Sequence, residues 1–441
     1  MKTLNFYNKK ILIYGFARTG ISTFNFLKKK YNQISCWDDS LKVRKKINKK
    51  YLVNSKNELI KNFYDFIVIS PGIDIDSCLL KKYLKKNKKK IITDLDIFYF
   101  FNRKNIIISV TGTNGKSTTC KLLYDIFSKA GYKTELGGNI GTPVLSLKNK
   151  LKKTIYVLEL SSYQLAYTNY FKPNYAAILN ITYDHIERHK NINNYINAKS
   201  NIFKFQDKKD FAFLGIENKK LKIIKKKFKN KKFKSKLSIL NSKNVKNYKK
   251  KLSNDYLFNK NNLENLSIAI EIAKKFKINE GRIFKIVNSF KGLKHRQEKF
   301  YSGKKILCIN DSKATSYHAT YQSLITFKNI FWILGGLPKS KDKIDLKDVK
   351  QNIIKAYIIG KNKNFFIKQL FNKVNYKYSK TLSNAVLDAL KDISNFKKIN
   401  SNYHRLTLLL SPSAASFDQF KNFEERGNKF KKVLKSNLQK L

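Results

Sequence analysis

The chain has 441 residues, of which 42% are hydrophobic and 13% aromatic, so it can form several packed cores and lacks the composition of a disordered protein. Lys and Arg number 92 against 30 Asp and Glu, which gives a formal net charge of +62. Such a surface could bind nucleic acid, but abundant Lys, Asn, Ile, Phe and Tyr with few Gly and Pro are also what an AT-rich genome produces. Because the lysines are spread over every segment, we favour the second explanation and expect no specific nucleic-acid partner.

Neither the apolar runs nor the cysteines indicate export. No apolar run approaches the roughly 18 residues that a membrane-spanning helix needs, so no membrane insertion is expected. The N-terminal run ILIYGFA has basic flanks and no small-residue cleavage site, which predicts a strand rather than a signal peptide. Four widely spaced cysteines without a C-x-x-C pair predict reduced thiols and a cytoplasmic protein: Cys36, Cys78, Cys120 and Cys308.

Apolar runs that end in polar or small residues alternate with helical patterns along the chain, which predicts parallel, doubly wound α/β sheets. The first such unit, residues 1–103, contains the strands KILIYGF, QISCWDDS and DFIVISPGI. The second, residues 104–293, contains NIIISVTG, TIYVLELSS and YAAILNIT, with helices over 260–290. The third, residues 294–441, contains KILCINDS, IFWILGG, AYIIG and LTLLLSP. Within the second unit, the lysine-rich residues 217–251 are predicted to form exposed strands and loops.

The motif TGTNGKST, residues 111–118, follows the first strand of the second unit and opens a helix. A standard phosphate loop, G-x-x-x-x-G-K-[ST], would need glycine where Val110 stands, so the motif is either a shortened phosphate loop or a simple turn. A turn explains the glycines but not the order Gly-Lys-Ser-Thr. Backbone N–H groups at a helix start attract anions, and Lys116 adds a positive charge, so we predict a bound nucleotide phosphate.

Polar residues follow two further strands of this unit. LELSSYQL places Glu159 after a buried strand, where its carboxylate can hold a divalent cation or merely cap a helix. NITYDHIERH places Asp184 and His185 after another strand; alone, His185 would be a structural residue. Lys199, in YINAKSNIF, would on composition alone be a solvated surface lysine.

The motif TGTNGKST resembles the phosphate loop of the Mur ligases and of the folylpolyglutamate synthetases. The Mur-ligase resemblance implies an N-terminal Rossmann-like domain, a central P-loop ATPase-type domain and a C-terminal Rossmann-like domain. It implies ATP and two Mg²⁺ ions as cofactors, with Lys199 carbamylated to serve as a metal ligand. The implied catalytic residues are Lys116, Glu159, His185 and Lys199, and the implied metal ligands are Ser117, Glu159, His185 and Lys199.

The third unit carries HRQE, NDSKAT and SPSAASFDQFKNFEERGNKF, which resemble the Mur ligases that add D-glutamate. Folylpolyglutamate synthetases lack this ending and the first unit. The resemblance implies D-glutamate-binding residues Lys313, Thr315, Lys339, Ser416 and Phe423. It implies ATP-binding residues Gly112, Thr113, Asn114, Gly115, Lys116, Ser117, Thr118, Asn265, Arg296 and Asp311. The family's G-x-H-N-x-x-N pattern appears as NKNNLEN, without its glycine and histidine.

The first unit carries GFARTG and SPGI, and the second GGNIGTP, which resemble the family's motifs for a uridine-diphosphate substrate. The implied contacts are Gly15, Arg18, Thr19, Asp38, Ser70, Pro71, Gly72 and Asn139. Asp38 would otherwise be a surface cap.

Taken together, the resemblance implies a monomeric, ATP-dependent ligase that joins D-glutamate to UDP-N-acetylmuramoyl-L-alanine through an acyl phosphate, in cytoplasmic peptidoglycan precursor synthesis. The alternatives are another Mur-type or folylpolyglutamate-type ligase, an eroded relative without activity, and a basic nucleic-acid-binding ATPase.

Overall fold

The computed structural model describes residues 5–30, 33–148, 153–216, 219–240, 242–258, 260–338, 343–399 and 405–437. In the structure the chain divides into two compact units, and from here on the first unit means Met1–Phe290 and the second unit means Lys291–Leu441. The described ranges contain three sheets with helices between their strands, which confirms the predicted α/β class. The predicted domain limits, 1–103, 104–293 and 294–441, stay a prediction.

The first sheet has the strand order β2-β1-β3-β4, and its strands are all parallel. The strands are β1 Lys10–Tyr14, β2 Gln33–Trp37, β3 Phe66–Ile69 and β4 Ile91–Ile92. The helices are α1 Arg18–Lys28, α2 Leu41–Arg44, α3 Lys56–Lys61, α4 Lys81–Lys86 and α5 Asp94–Asn102. Since β1 occupies the middle, the loops after β1, β2 and β3 meet at the carboxyl edge, where parallel sheets bind ligands.

The second sheet has the order β10-β9-β8-β5-β7-β6 and is also parallel throughout. Its strands are β5 Ile106–Thr111, β6 Thr134–Gly138, β7 Ile155–Glu159, β8 Tyr175–Ile178, β9 Phe211–Leu214 and β10 Lys236–Ile239. Its helices are α6 Lys116–Lys129, α7 Ser162–Ala166, α8 Ile186–His189, α9 Ile192–Ser200, α10 Lys219–Lys229, α11 Ser242–Lys250, α12 Lys260–Lys274 and α13 Glu280–Asn288. The central strand β5 has β7 and β8 as neighbours, so the three polar motifs predicted after these strands lie side by side.

The prediction of exposed strands and loops for residues 217–251 is confirmed for the edge strand β10 but is wrong for the two segments that form helices. The described part of this segment forms α10, the short edge strand β10 and α11. In α10, Leu221 and Ile224 stand three residues apart and are both buried, while the lysines around them face outward or lie at the rim. Lysine is a good helix former, so apolar residues at helical spacing determine the structure despite the high charge.

Helix α5 connects the two sheets of the first unit. Phe98 of α5 packs edge-on against Tyr156 of β7, with 5.1 Å between the ring centroids. The buried carboxylate of Asp96 accepts hydrogen bonds from the Thr168 hydroxyl at 2.6 Å and from the backbone N–H groups of residues 169–171 at 2.7–3.0 Å. Helix α5 is thereby fixed to the second sheet and the loop before β8 by both apolar and polar contacts.

The second unit contains one sheet, with the order β11-β12-β16-β13-β14-β15. Only β11 is antiparallel to its neighbour in the described residues. The strands are β11 Glu298–Ser302, β12 Ile306–Asn310, β13 Ile330–Gly335, β14 Ile353–Ile359, β15 Tyr376–Lys380 and β16 Leu406–Leu410. The helices are α14 Tyr317–Thr326, α15 Lys363–Leu370, α16 Leu382–Ile399 and α17 Phe423–Lys435. Across the described ranges, every helix is too short or too polar to cross a membrane.

Candidate active site

The phosphate-loop motif joins β5 to α6 in the manner predicted from the sequence. Gly115 caps the helix with φ +84°, a left-handed conformation that residues with a Cβ rarely adopt. A Cβ at this position would also lie 2.3 Å from the side-chain amide of Asn265. The first turn of α6, beginning at Lys116, therefore directs its N–H groups into the space beside the loop, where an anion binds favourably.

Asn180, which follows β8, holds the phosphate loop in place. Its side-chain oxygen accepts from the Asn114 N–H at 2.9 Å, and its backbone carbonyl accepts from the Thr113 N–H at 3.0 Å. The side-chain amide donates to the Asn114 carbonyl at 3.2 Å. These hydrogen bonds hold the loop in position before a ligand binds, because the backbone of Thr113 and Asn114 is already paired with Asn180.

Lys116 and Ser117 begin α6 on the side that faces the strand ends. The Lys116 ammonium donates to the carbonyls of Gly112 at 2.9 Å and Thr113 at 2.7 Å. The Ser117 hydroxyl donates to the buried carboxylate of Glu159 at 2.6 Å. The other carboxylate oxygen of Glu159 accepts from the Asn139 amide at 2.8 Å. A cation, a hydroxyl and a carboxylate thus adjoin the phosphate loop.

Lys199 is buried, with 1% of its surface exposed, so its interpretation as a solvated lysine is wrong. It lies on α9, and its amine donates to the Gly112 carbonyl at 2.9 Å and approaches the Thr111 hydroxyl at 3.4 Å. Burial lowers the pKa of Lys199 well below the ordinary value, and the nearby positive charge of Lys116 lowers it further. The two amino groups lie close together because both donate to the Gly112 carbonyl. The amine is therefore held toward its neutral form, which is the nucleophilic form.

His185 lies at the start of α8 with φ +54°, in the left-handed region. Its Nδ1 atom is 2.9 Å from the Tyr163 hydroxyl, and its Nε2 atom is 3.4 Å from the Asp184 carboxylate. Among the residues that the structure describes, no three His, Cys, Asp or Glu side chains converge on one point. The structure brings Ser117 and Glu159 together, whereas His185 is held by Tyr163 and Asp184.

The residues predicted to bind the uridine-diphosphate substrate surround the carboxyl edge of the first sheet. Gly15 has φ +93°, and the Ser70 hydroxyl donates to its carbonyl at 2.6 Å. The Asp38 carboxylate accepts from the Phe16 N–H at 2.8 Å and so ties the glycine loop to the end of β2. Arg18 donates to the Gly141 carbonyl, in the loop that also contains Asn139. Thr19 lies in the first turn of α1, and Pro71 and Gly72 follow β3.

In the second unit, the predicted residues follow β12 and β16. The Asp311 carboxylate is buried and accepts from the hydroxyls of Ser323 at 2.6 Å and Ser411 at 2.9 Å. Burial raises the pKa of Asp311 to about 6. The ammonium of Lys313 stands 3.8 Å from the centre of the Phe423 ring, which is a close cation–π contact.

The remaining predicted residues of this unit that the structure describes lie before β11 and after β12 and β16. The N–H of Thr315 donates to the Lys313 carbonyl at 2.9 Å, and Ser416 is buried after β16. Arg296 lies before β11. Lys339 lies outside the described residues.

Arg426 on α17 joins the loops at the carboxyl edge of this sheet. Its guanidinium is 1% exposed and donates to the carbonyls of Ser312 at 2.9 Å and Ala414 at 3.0 Å. It also donates to the Ser312 hydroxyl at 3.1 Å. The NDSKAT and SPSAAS motifs are therefore held together by one side chain of the third motif, FEERG.

Comparison with known proteins decides the family. Residues 110–279 match the model of the Mur ligase middle domain. Over 99% of this chain and 100% of the relative, the sequence is 35% identical to the UDP-N-acetylmuramoylalanine–D-glutamate ligase of Rickettsia prowazekii. It is 36% identical to the ligase of the same name from Buchnera aphidicola, over 98% of this chain and 99% of the relative.

The chain belongs to the UDP-N-acetylmuramoylalanine–D-glutamate ligases.

Solved structures of other Mur ligases share the fold of this family member. MurF from Acinetobacter baumannii is 14% identical and superposes with a TM-score of 0.56 over 86% of this chain and 88% of its own. MurC from Thermotoga maritima is 13% identical, with a TM-score of 0.54 over 97% of this chain and 100% of its own. At such identities the likeness concerns the fold alone.

Two residues that hold loops at the carboxyl edges of these sheets have roles that the sequence does not indicate. Asn180 was visible as a polar residue directly after a buried strand, but its role on the phosphate loop depends on β8 lying next to β5. Arg426 lay within a recognised motif, and its distance of more than a hundred residues from Ser312 concealed the contact.

Proposed function

We propose that this chain catalyses the ATP-dependent joining of UDP-N-acetylmuramoyl-L-alanine and D-glutamate in peptidoglycan precursor synthesis, in the cytoplasm, where ATP is available. One observation carries the choice of substrates: the identity of 35% to a D-glutamate ligase extends over almost the whole of both chains. The phosphate loop beside Ser117 and Glu159 supports the use of ATP.

In the first step, a carboxylate oxygen of the muramoyl-alanine substrate attacks the γ-phosphorus of ATP, the bond to ADP breaks and an acyl phosphate forms. Such phosphoryl transfer depends mainly on positioning and on neutralisation of charge. The N–H groups at the start of α6 would hold the phosphates, and Lys116 would neutralise them. Its ammonium already lies at the loop, where it donates to two backbone carbonyls and can turn to a phosphate oxygen.

Ser117 and Glu159 fit a Mg²⁺ ion, because this ion prefers carboxylate and hydroxyl oxygens and their oxygens here lie 2.6 Å apart. Bound Mg²⁺ would neutralise charge on the transferred phosphoryl group. Asn139 keeps the Glu159 carboxylate oriented. We assign His185 to a second ion, because the ring already has a partner, Tyr163, that can fix its tautomer.

We infer that Lys199 is carbamylated. A neutral amine adds to CO₂ by forming an N–C bond and releasing a proton, and burial favours this neutral amine. The product is a carboxylate-like group that would offset the charge of Lys116 and supply oxygen ligands. An unmodified ammonium beside Lys116 would instead repel the metal.

In the second step, the amine of D-glutamate attacks the acyl carbonyl and loses a proton, and the bond from the carbonyl carbon to the phosphate oxygen breaks, so that an amide forms and phosphate leaves. The dicarboxylate requires cationic and hydrogen-bonding groups. We assign its recognition to Lys313, Thr315, Lys339, Ser416 and Phe423, and the contacts to ATP from the second unit to Arg296 and Asp311. Phe423 keeps the Lys313 ammonium in place through their 3.8 Å contact.

The test is ADP and phosphate release from the purified chain with all three substrates. We expect release only when UDP-N-acetylmuramoyl-L-alanine and D-glutamate are both present, and none with L-glutamate or diaminopimelate. Lys116→Ala should abolish turnover, whereas Lys121→Ala, on the same helix and paired with Asp125, should not. Near-normal turnover of Lys116→Ala would contradict the ATP-site assignment.

Lys199→Ala tests the carbamate separately. The variant should be inactive, and a short carboxylic acid that fits the vacated space should restore part of the activity. Mass spectrometry of the wild-type chain, performed under CO₂, should detect the added carboxylate on this residue. A fully active variant would exclude a role for Lys199.

A further inference from the structure

The loop after β3 and the loop that carries His185 are joined by a single guanidinium. Arg188, on α8, donates to the carbonyl of Gly72 at 3.3 Å and to that of Pro71 at 3.4 Å, and it also donates to the carbonyl of Ile73. Three successive carbonyls therefore converge on one side chain, which is 15% exposed.

These hydrogen bonds fix the direction in which the backbone N–H groups of the loop point. Across a trans peptide bond, the C=O and the N–H point in opposite directions. When Arg188 binds the carbonyls of residues 71–73, the N–H groups of residues 72–74 point away from it, and that of Ile73 donates to the Ser70 carbonyl at 3.0 Å. A guanidinium has the planar set of donors that such an arrangement requires, whereas an ammonium acts as a single point charge.

The same side chain also reaches the neighbourhood of His185. The Arg188 guanidinium lies 5.1 Å from the centre of the Tyr163 ring, and the Tyr163 hydroxyl is 2.9 Å from the Nδ1 atom of His185. Arg188, Tyr163, Gly72 and Asp39 line one open cleft of about 470 Å³. Arg188 thus connects the wall of this cleft to the residue assigned to catalysis.

We propose that Arg188 is a positioning residue for the uridine-diphosphate substrate: it fixes the backbone of the loop after β3 and couples that loop to Tyr163 and His185. This inference rests on the proposed function for the identity of the ligand. It adds a residue of α8, which follows β8 of the second sheet, to a binding loop that follows β3 of the first sheet.

Steady-state kinetics of Arg188→Ala test the proposal. Loss of hydrogen bonds from a charged donor should raise the KM for UDP-N-acetylmuramoyl-L-alanine by about tenfold or more. Turnover should fall as well, while the KM for ATP should stay near the wild-type value. Millimolar guanidinium should lower the raised KM again. Arg188→Lys should keep the charge but recover little, because one ammonium cannot serve three carbonyls.

Lys190→Ala is the matched control. Lys190 directly follows α8 and pairs with Asp76 at 2.5 Å, so this variant removes an exposed contact between the same two segments and leaves the carbonyl bonds intact. It should behave as wild type. An unchanged KM in Arg188→Ala, or an equal rise in the KM of all three substrates, would overturn the proposal.

Hydrogen exchange separates this proposal from the proposed function. If the wild-type chain is inactive with these substrates, the function fails, but the effect on the loop can still be measured. Arg188→Ala should speed exchange of the Ile73 N–H, which donates to the Ser70 carbonyl at 3.0 Å, and leave residues 112–118 unchanged. Unchanged exchange at Ile73 would overturn the positioning role, whether or not the chain is active.

Discussion

Replacing Glu159 by Gln removes a charge from the site and leaves its shape unchanged. The carboxylate accepts from the Ser117 hydroxyl at 2.6 Å and from the Asn139 amide at 2.8 Å. In Glu159→Gln, the amide oxygen can accept from Asn139, and the new NH₂ group can donate to the Ser117 oxygen, which also accepts. Both hydrogen bonds can therefore be remade, so the local geometry should persist.

The expected effects on stability and activity differ in size. Two charge-assisted bonds become neutral ones, but the desolvation of a buried charge is relieved, so the free energy of unfolding should change by less than about 2 kcal/mol. The negative charge that would hold a cation is lost outright. Loss of one preorganised electrostatic partner costs about 3–4 kcal/mol, so kcat/KM should fall by about 10²–10³-fold.

The assay is phosphate release at varied Mg²⁺ concentration, with urea unfolding of the same preparations. Glu271→Gln is the matched control, since Glu271 is partly buried and accepts from the Tyr248 hydroxyl on α11, which glutamine can also do. Its activity should match the wild type. A folded Glu159→Gln with nearly normal kcat/KM would refute the role of Glu159 in cation binding.

Gly115→Ala should lower stability by about 1–2 kcal/mol, because of the left-handed backbone, and should raise the KM for ATP, because its Cβ would collide with Asn265. Kinetics and urea unfolding would detect both; a KM for ATP equal to that of wild type would contradict the tight loop. Burial, and then the neighbouring Asp96 carboxylate, raise the pKa of Asp94 to about 7 from 3.8, so the folded chain retains a proton that the unfolded chain has lost. Its contribution to stability should fall by about 1.4 kcal/mol between about pH 6 and pH 8, and Asp94→Asn should lack this loss in urea titrations. Arg426→Lys should destabilise the second unit by about 3 kcal/mol, because the carbonyls of Ser312 and Ala414 lose a planar donor; thermal unfolding within a degree of wild type would contradict this.

Long apolar runs made most of the fold predictable. The strands β1, β3, β5, β7, β8, β12, β13, β14 and β16 are buried over nearly all of their length, and all of them were predicted. Most of the strands that were missed are short or partly exposed, as β4 with two residues and β15 with its half-exposed tyrosines illustrate, although β9 is as long and as buried as β8. Such segments become strands because a neighbouring strand offers hydrogen bonds, which the sequence does not show.

The sequence indicated several candidate site residues but not the contacts between them. The order Gly115, Lys116, Ser117 indicates a phosphate loop because each residue type has a local role there. The burial of Lys199 could not be predicted, since composition favours a solvated lysine and only the packing of α9 against the strand ends excludes water. Arg188 gave no signal of its own, because its partners are backbone carbonyls more than a hundred residues away.

The most direct test of the central claim is amide formation itself. The purified chain, incubated with ATP, Mg²⁺, UDP-N-acetylmuramoyl-L-alanine and D-glutamate, should yield one dipeptide product for each phosphate released, detectable by mass spectrometry. L-Glutamate and diaminopimelate should yield none, and nucleic acid should not stimulate ATP hydrolysis. Phosphate release without the D-glutamyl product, or equal use of diaminopimelate, would contradict the assignment.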